Sequence, residues 1–202
     1  MGPINYDDLF AFILVGFALT GSPGPATLSL AATGAAYGFR AGRNYLFGLI
    51  FGVMVVIVGV AAGVFAAIIA IPYAAEILTV IAIAYIGYLA FKIATAPPVG
   101  KPVSMTEGPG FVTGFFLNIS NPKAYAAFTA LFSGFHLIPQ APTQSVFVQI
   151  VLCFSIICIV NPTWLYVGSA LRRVLHDEKT SRRVNLGFAI MLVASVLLTV
   201  FL

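Results

Sequence analysis

The sequence predicts an all-α membrane protein with six transmembrane helices. They form two inverted three-helix repeats, and the first helix of each repeat is broken. Three observations carry this expectation. Of 202 residues, 60% are apolar and only 8% charged, with mean hydropathy +1.04, whereas a globular domain carries about 25% charged residues. The apolar residues fall into runs that reach the roughly 20 residues a spanning helix needs. Two of those runs are interrupted, at Ser22-Pro23-Gly24-Pro25-Ala26 and at Ser120-Asn121-Pro122-Lys123-Ala124.

The first span is expected from about Leu9 to Tyr37, broken at 23–25; no Asp, Glu, Lys or Arg occurs from Leu9 to Phe39. Each proline there removes a backbone donor, and broken backbone within lipid needs a reason. Arg40 and Arg43 form a short basic loop. The second span runs from about Tyr45 to Ile71, ended by Pro72 and Glu76. The third, Ile77 to Phe91, stops at Lys92 and the turn-rich stretch Thr95 to Gly110. The fourth begins at Phe111, carries the second break at 121–123 and continues to Phe135. His136 to Gln144, with Pro139 and Pro142, is a loop. The fifth covers about Val146 to Leu171, with Asn161-Pro162 as a third, smaller break. The charged loop Arg172 to Arg183 precedes the sixth, Leu186 to Leu202. The length suits a single domain over 1–202, with repeat one at about 1–97 and repeat two at about 101–202. The start of the chain has no positive n-region, so it is not expected to be a cleaved signal peptide. Tyr6 stands where a myristoylation site wants Ser or Thr.

Nine of the ten Lys and Arg residues (Arg40, Arg43, Lys92, Lys101, Arg172, Arg173, Lys179, Arg182 and Arg183) fall in loops one, three and five. By the positive-inside tendency those loops are cytoplasmic and both termini lie outside. The net charge of +4 and pI of 9.2 then need no nucleic acid partner. Glycines four apart (Gly34, Gly38 and Gly42; Gly48 and Gly52; Gly59 and Gly63) read as close helix packing, expected between the first two spans. They suit a homodimer or packing within one chain equally. Cys153 and Cys158, five apart in one span, read as packing residues rather than a disulfide or metal site.

Lys123 is the tenth basic residue, and this topology places it inside the bilayer. Such a charge costs on the order of 2.5–3.5 kcal/mol, and no carboxylate lies in the neighbouring spans to pair with it. It either receives the carboxylate of a small substrate or snorkels to the interface. The half-helices after each break, 25–30 and 122–127, present unpaired amides suited to an anion. Asn118, Asn121 and Asn161 add groups that both donate and accept; each can equally act as interhelical glue. The candidate substrate site is therefore Pro23, Gly24, Pro25 and Thr27 from the first break, Asn118, Asn121, Pro122 and Lys123 from the second, and Asn161. Tyr85, Tyr88 and Tyr125 read as cavity lining or interface anchors. No cofactor, metal cluster, phosphate loop or catalytic constellation is visible, and no enzyme is expected.

These residues resemble the LysE/RhtB family of amino-acid exporters over essentially the whole chain. The resemblance rests on S-P-G-P with G-F-R-A-G at 38–42, on A-Y-I-G-Y-L-A-F-K-I-A-T at 84–95, and on N-P-K-A at 121–124. The second block and the overall spacing are similar to the cysteine and O-acetylserine exporter branch. The resemblance implies a multi-pass exporter of small amino acids or their derivatives in the bacterial inner membrane, driven by protons, with periplasmic termini. Family members often carry Asp or Asn directly after PGP, where this chain has Ala26, which removes one candidate proton carrier. The rival expectations are a membrane scaffold or assembly subunit and a passive channel without coupled transport.

Overall fold

The computed structural model describes residues 2–63, 70–95, 108–174 and 178–201. All regular structure among them is helical: α1 (Tyr6–Gly21), α2 (Pro25–Ala61), α3 (Ala74–Ala94), α4 (Phe111–Ile119), α5 (Pro122–Gly134), α6 (Pro142–Val174) and α7 (Glu178–Phe201).

Helix α1 starts where the Asn5 side chain accepts a hydrogen bond from the Asp8 amide (3.2 Å), with Asp7 and Asp8 against the positive dipole end. It stops because Ser22 and Gly24 each precede a proline, which disfavours the α region; both are extended, with ψ of 150° and −179°. Pro25 then opens α2 at the first helical position, where its missing N–H costs nothing. The second break repeats the device. Asn121 is extended and Pro122 opens α5.

The 37 residues of α2 are one helix in name only. Gly38 sits at φ 85° and ψ 168°, a left-handed conformation that glycine tolerates. The Tyr45 hydroxyl donates to Ser29 Oγ at 2.8 Å, although sixteen residues along a straight helix would separate them by about 24 Å. A β-carbon on Gly42 would lie 3.2 Å from Thr33 Cγ2. The chain therefore reverses at Gly38 into two antiparallel arms, 25–37 and 39–61. The Tyr45–Ser29 bond ties them together in the dry core, where Tyr45 is fully buried. Tyr45→Phe should cost about 1 kcal/mol, a fall of roughly 2–4 °C in the melting temperature of the detergent-solubilised protein. No change in melting would show that the bond does not hold the hairpin.

The first arm and α1 run alongside α6 in the same direction. At one end the Asn5 amide donates to Leu137 O (2.9 Å), and at the other the Phe39 amide donates to Ser169 Oγ (3.1 Å). Likewise the second arm runs with α4 and α5, so that Gly48 faces Phe111 and Gly52 faces Phe115 and Asn118. Two apolar clusters fill the interior, one around Leu30, Tyr45, Leu49 and Leu165, the other around Phe12, Val56, Phe128 and Leu131. Large apolar side chains also point outward: Phe10, Val80, Phe91 and Phe147 are about two-thirds exposed (65–66%). Such a surface suits lipid and would be untenable in water.

Several expectations need correction. The helix does not break at Asn161-Pro162: α6 is continuous from Pro142 to Val174, with the Thr163 hydroxyl donating to Ile159 O beside the proline (2.7 Å). The glycine faces do not chiefly join the first two spans. Gly34 meets Leu165 and Ser169 of α6, Gly48 and Gly52 meet α4, and Gly59 has open space around it. Gly38 is a turn, not a packing surface. The stretch from Lys179 to Arg183 is helical rather than loop. Lys101 lies outside the described residues.

Candidate functional site

The two breaks, about a hundred residues apart in sequence, meet in the interior. Lys123, in the first turn of α5, extends its ammonium to Ser22 O (2.8 Å), Ser22 Oγ (2.8 Å) and Pro23 O (3.2 Å). These atoms stand just beyond the carboxyl end of α1, the negative end of its dipole, where a cation is stabilised. Lys123 thus has partners that sequence reasoning did not foresee. Three acceptors stand within reach of the three ammonium protons of this half-buried side chain. Its approach depends on Gly24, since a β-carbon there would lie 2.7 Å from Lys123 Cδ and 2.9 Å from Nζ.

Two further side chains finish the first break. Thr27 Oγ1 accepts from the Gly24 amide (2.9 Å) and lies 3.2 Å from Ser22 O and Gly24 O. The indole of Trp164 donates to Gly21 O (3.2 Å). Neither Trp164 nor Ser22 was among the expected site residues. The signal for Trp164 was available: a lone tryptophan inside a membrane span must find an acceptor for its N–H.

Between the breaks lies a cavity of about 40 Å³, room for about three waters. Gly24, Thr27, Asn118, Asn121, Lys123 and Asn161 all line it, so six of the nine expected residues converge on one space. Pro25 is buried and shapes the helix start without facing the cavity; Pro122 likewise opens α5 outside the lining. Pro23 is exposed and faces a second, open cleft of about 480 Å³, bordered also by Ser22, Leu28, Met191 and Ala194. Lys123 borders both spaces. Ala26 lines the inner cavity too.

A chain of amides sets the polarity of the cavity wall. Asn118 Nδ2 donates to Leu49 O (2.7 Å), which fixes that side chain. Asn118 Oδ1 then accepts from Asn121 Nδ2 (3.4 Å). The remaining atom of Asn121 is therefore its carbonyl oxygen, and this buried acceptor has no partner; on Asn161 the donor Nδ2 has none. Buried polar atoms are seldom left so. Among the lining residues Lys123 alone is charged. The tyrosines lie elsewhere: the Tyr85 hydroxyl donates to Thr113 O, that of Tyr125 to Ile119 O (2.8 Å), and the Tyr88 ring sits 5.8 Å from the Lys92 ammonium. Cys153 is buried and Cys158 exposed, both as free thiols.

An apolar exterior and helices broken in the interior suit an integral membrane protein, with a small, mostly apolar cavity where the breaks meet. The family model described as LysE type translocator matches residues 17–201, and the chain belongs to that family. It is 28% identical over 199 residues to the cysteine/O-acetylserine efflux protein of Shigella flexneri serotype 5b, covering 96% of each chain. The protein of that name in Escherichia coli K12 is 28% identical over 178 residues, covering 85% of this chain and 87% of its own. The one from Salmonella paratyphi A is 27% identical over 194 residues, with 96% of each covered. No solved structure is a significant match.

Proposed function

We propose that this protein exports small amino acids or their derivatives, of the kind represented by cysteine and O-acetylserine, across the bacterial inner membrane. The observation that carries the reading is the convergence of both helix breaks on one small cavity whose lining includes unpaired amide groups. Discontinuous helices at matching positions of two repeats are how many secondary transporters build a midplane site. In this reading α1 with the first arm of α2 is one broken span, and α4 with α5 is its inverted counterpart. The second arm, α3, α6 and α7 complete six spans with both termini periplasmic. Packing supports the pairing: the first broken span lies along α6, and the second lies along the second arm, in opposite directions across the membrane.

Transport would proceed by rocking of the halves, with Lys123 leaving Ser22 and Pro23 as the breaks part. The cavity in its present state, about 40 Å³, is too small for an amino acid and would widen as the halves move. Protons are the proposed coupling ion. No carboxylate lines the cavity, so a side-chain acid there is not the carrier.

The test is release from cells or proteoliposomes preloaded with a panel of amino acids, with and without an uncoupler. Overexpression should speed the release of cysteine or O-acetylserine severalfold, and the uncoupler should abolish that gain. If no amino acid leaves faster, the assigned function is wrong; if the uncoupler has no effect, proton coupling is.

A further inference from the structure

We propose that Asn121 and Asn161 are the residues that read the zwitterion, Asn121 Oδ1 accepting from the α-ammonium and Asn161 Nδ2 donating to the α-carboxylate. The inference rests on the cavity being the transport site, and it names the substrate class: α-amino acids with a short, uncharged side chain.

Both side chains are 3% exposed, and each leaves one polar atom without a partner at the same cavity. Two residues of one cavity wall thus carry an unpaired acceptor and an unpaired donor, each with almost no accessible surface in this state; uncovered as the cavity widens, they complement the two ends of an amino acid. The orientation of Asn121 is fixed through Asn118 to the backbone of Leu49, so it can offer only an acceptor. The amides of Ala26 and Thr27 open α2 beside the cavity; with no earlier turn to bond to, they add a second attraction for the carboxylate. Lys123 does not serve that role in this state, because its three protons already meet Ser22 and Pro23.

The rest of the wall sets the side chain. Leu19, Ala127, Phe128 and Ile157 leave an apolar, narrow remainder. Lys123 is the sole charge and no carboxylate lines the cavity, so a second cation on the substrate would meet repulsion and no counter-charge. Lysine and arginine should be excluded.

Competition against cysteine export tests this without relying on any variant. L-Alanine should compete, whereas cysteamine, which lacks the carboxylate, and 3-mercaptopropionate, which lacks the ammonium, should each compete at least about tenfold less well. That factor is the size of one hydrogen bond to a charged group. Asn161→Ala should weaken cysteine by a similar factor and leave cysteamine unchanged. Asn121→Ala should weaken cysteine and leave 3-mercaptopropionate unchanged. A protein that exports cysteine normally but admits both analogues as well as cysteine, or whose variants weaken every compound equally, overturns the assignment of these two residues. Export of lysine as fast as cysteine overturns the substrate class. Absence of any cysteine export would instead refute the underlying transport function.

Discussion

Lys123→Met is expected to reduce export by at least about tenfold while the protein still reaches the membrane in normal amount. Methionine keeps the apolar stem but removes the ammonium, leaving Ser22 Oγ and Pro23 O without their donor and Ser22 O with the Thr27 hydroxyl alone. Each hydrogen bond to a charged group is worth about 1.5–3 kcal/mol, tenfold or more in an equilibrium constant. The loss falls on the residue that borders both the inner cavity and the open cleft. In the proposed transport cycle the two breaks then close on each other poorly. Gly24→Ala provides a gentler probe: its β-carbon would crowd Lys123 Cδ and Nζ and push the ammonium aside with the charge retained. A smaller loss of export is expected there. Preloaded cells and a quantitative membrane blot measure both variants. Wild-type export by Lys123→Met would remove this residue from the transport cycle.

Gly168→Leu is expected to leave no folded protein. A β-carbon at Gly168 would lie 1.9 Å from the carbonyl oxygen of Ala31, and one at Gly34 would lie 2.3 Å from that of Leu165. The first arm of α2 and α6 therefore touch backbone to backbone, as small residues permit where lipid gives helices no hydrophobic reason to associate. The obstructing atoms are main chain, so the helices themselves would have to separate. Even Gly168→Ala should exceed about 3 kcal/mol, beyond the usual cost of overpacking. Gly59→Ala, with nothing within 4 Å, is the control and should melt as the parent does. Fluorescence-detected gel filtration of the solubilised variants distinguishes these outcomes. A monodisperse Gly168→Leu protein would show that the interface is not closed as described.

The breaks at 23–25 and 121–123 were legible because they depend on local chemistry. A residue before proline avoids the α region, and proline is comfortable at the first position of a new helix. The reversal between the first two spans was legible from the basic pair Arg40 and Arg43, but its exact place was not. A glycine in an apolar, glycine-rich stretch looks like a packing residue, and only the positive φ of Gly38 and the Tyr45–Ser29 contact put the turn there. The glycine faces at 34, 48 and 52 announced close contact but not with which helix, since a small residue advertises only that some backbone can approach.

Asparagine-proline shows most clearly where local information ends. At 121–122 the dipeptide breaks the chain and starts α5; at 161–162 it sits inside an unbroken α6. The sequence alone determined that this is an all-helical membrane chain with two interrupted apolar runs, because hydropathy and proline act through the composition of a short window. Only the tertiary structure decided that Asn161 stays helical, with Leu165 and Gly168 pressed against the first arm. The same packing decided that Lys123 finds its partners at Ser22 and Pro23. Those outcomes depend on carbonyls and hydroxyls about a hundred residues away, and no local window contains them.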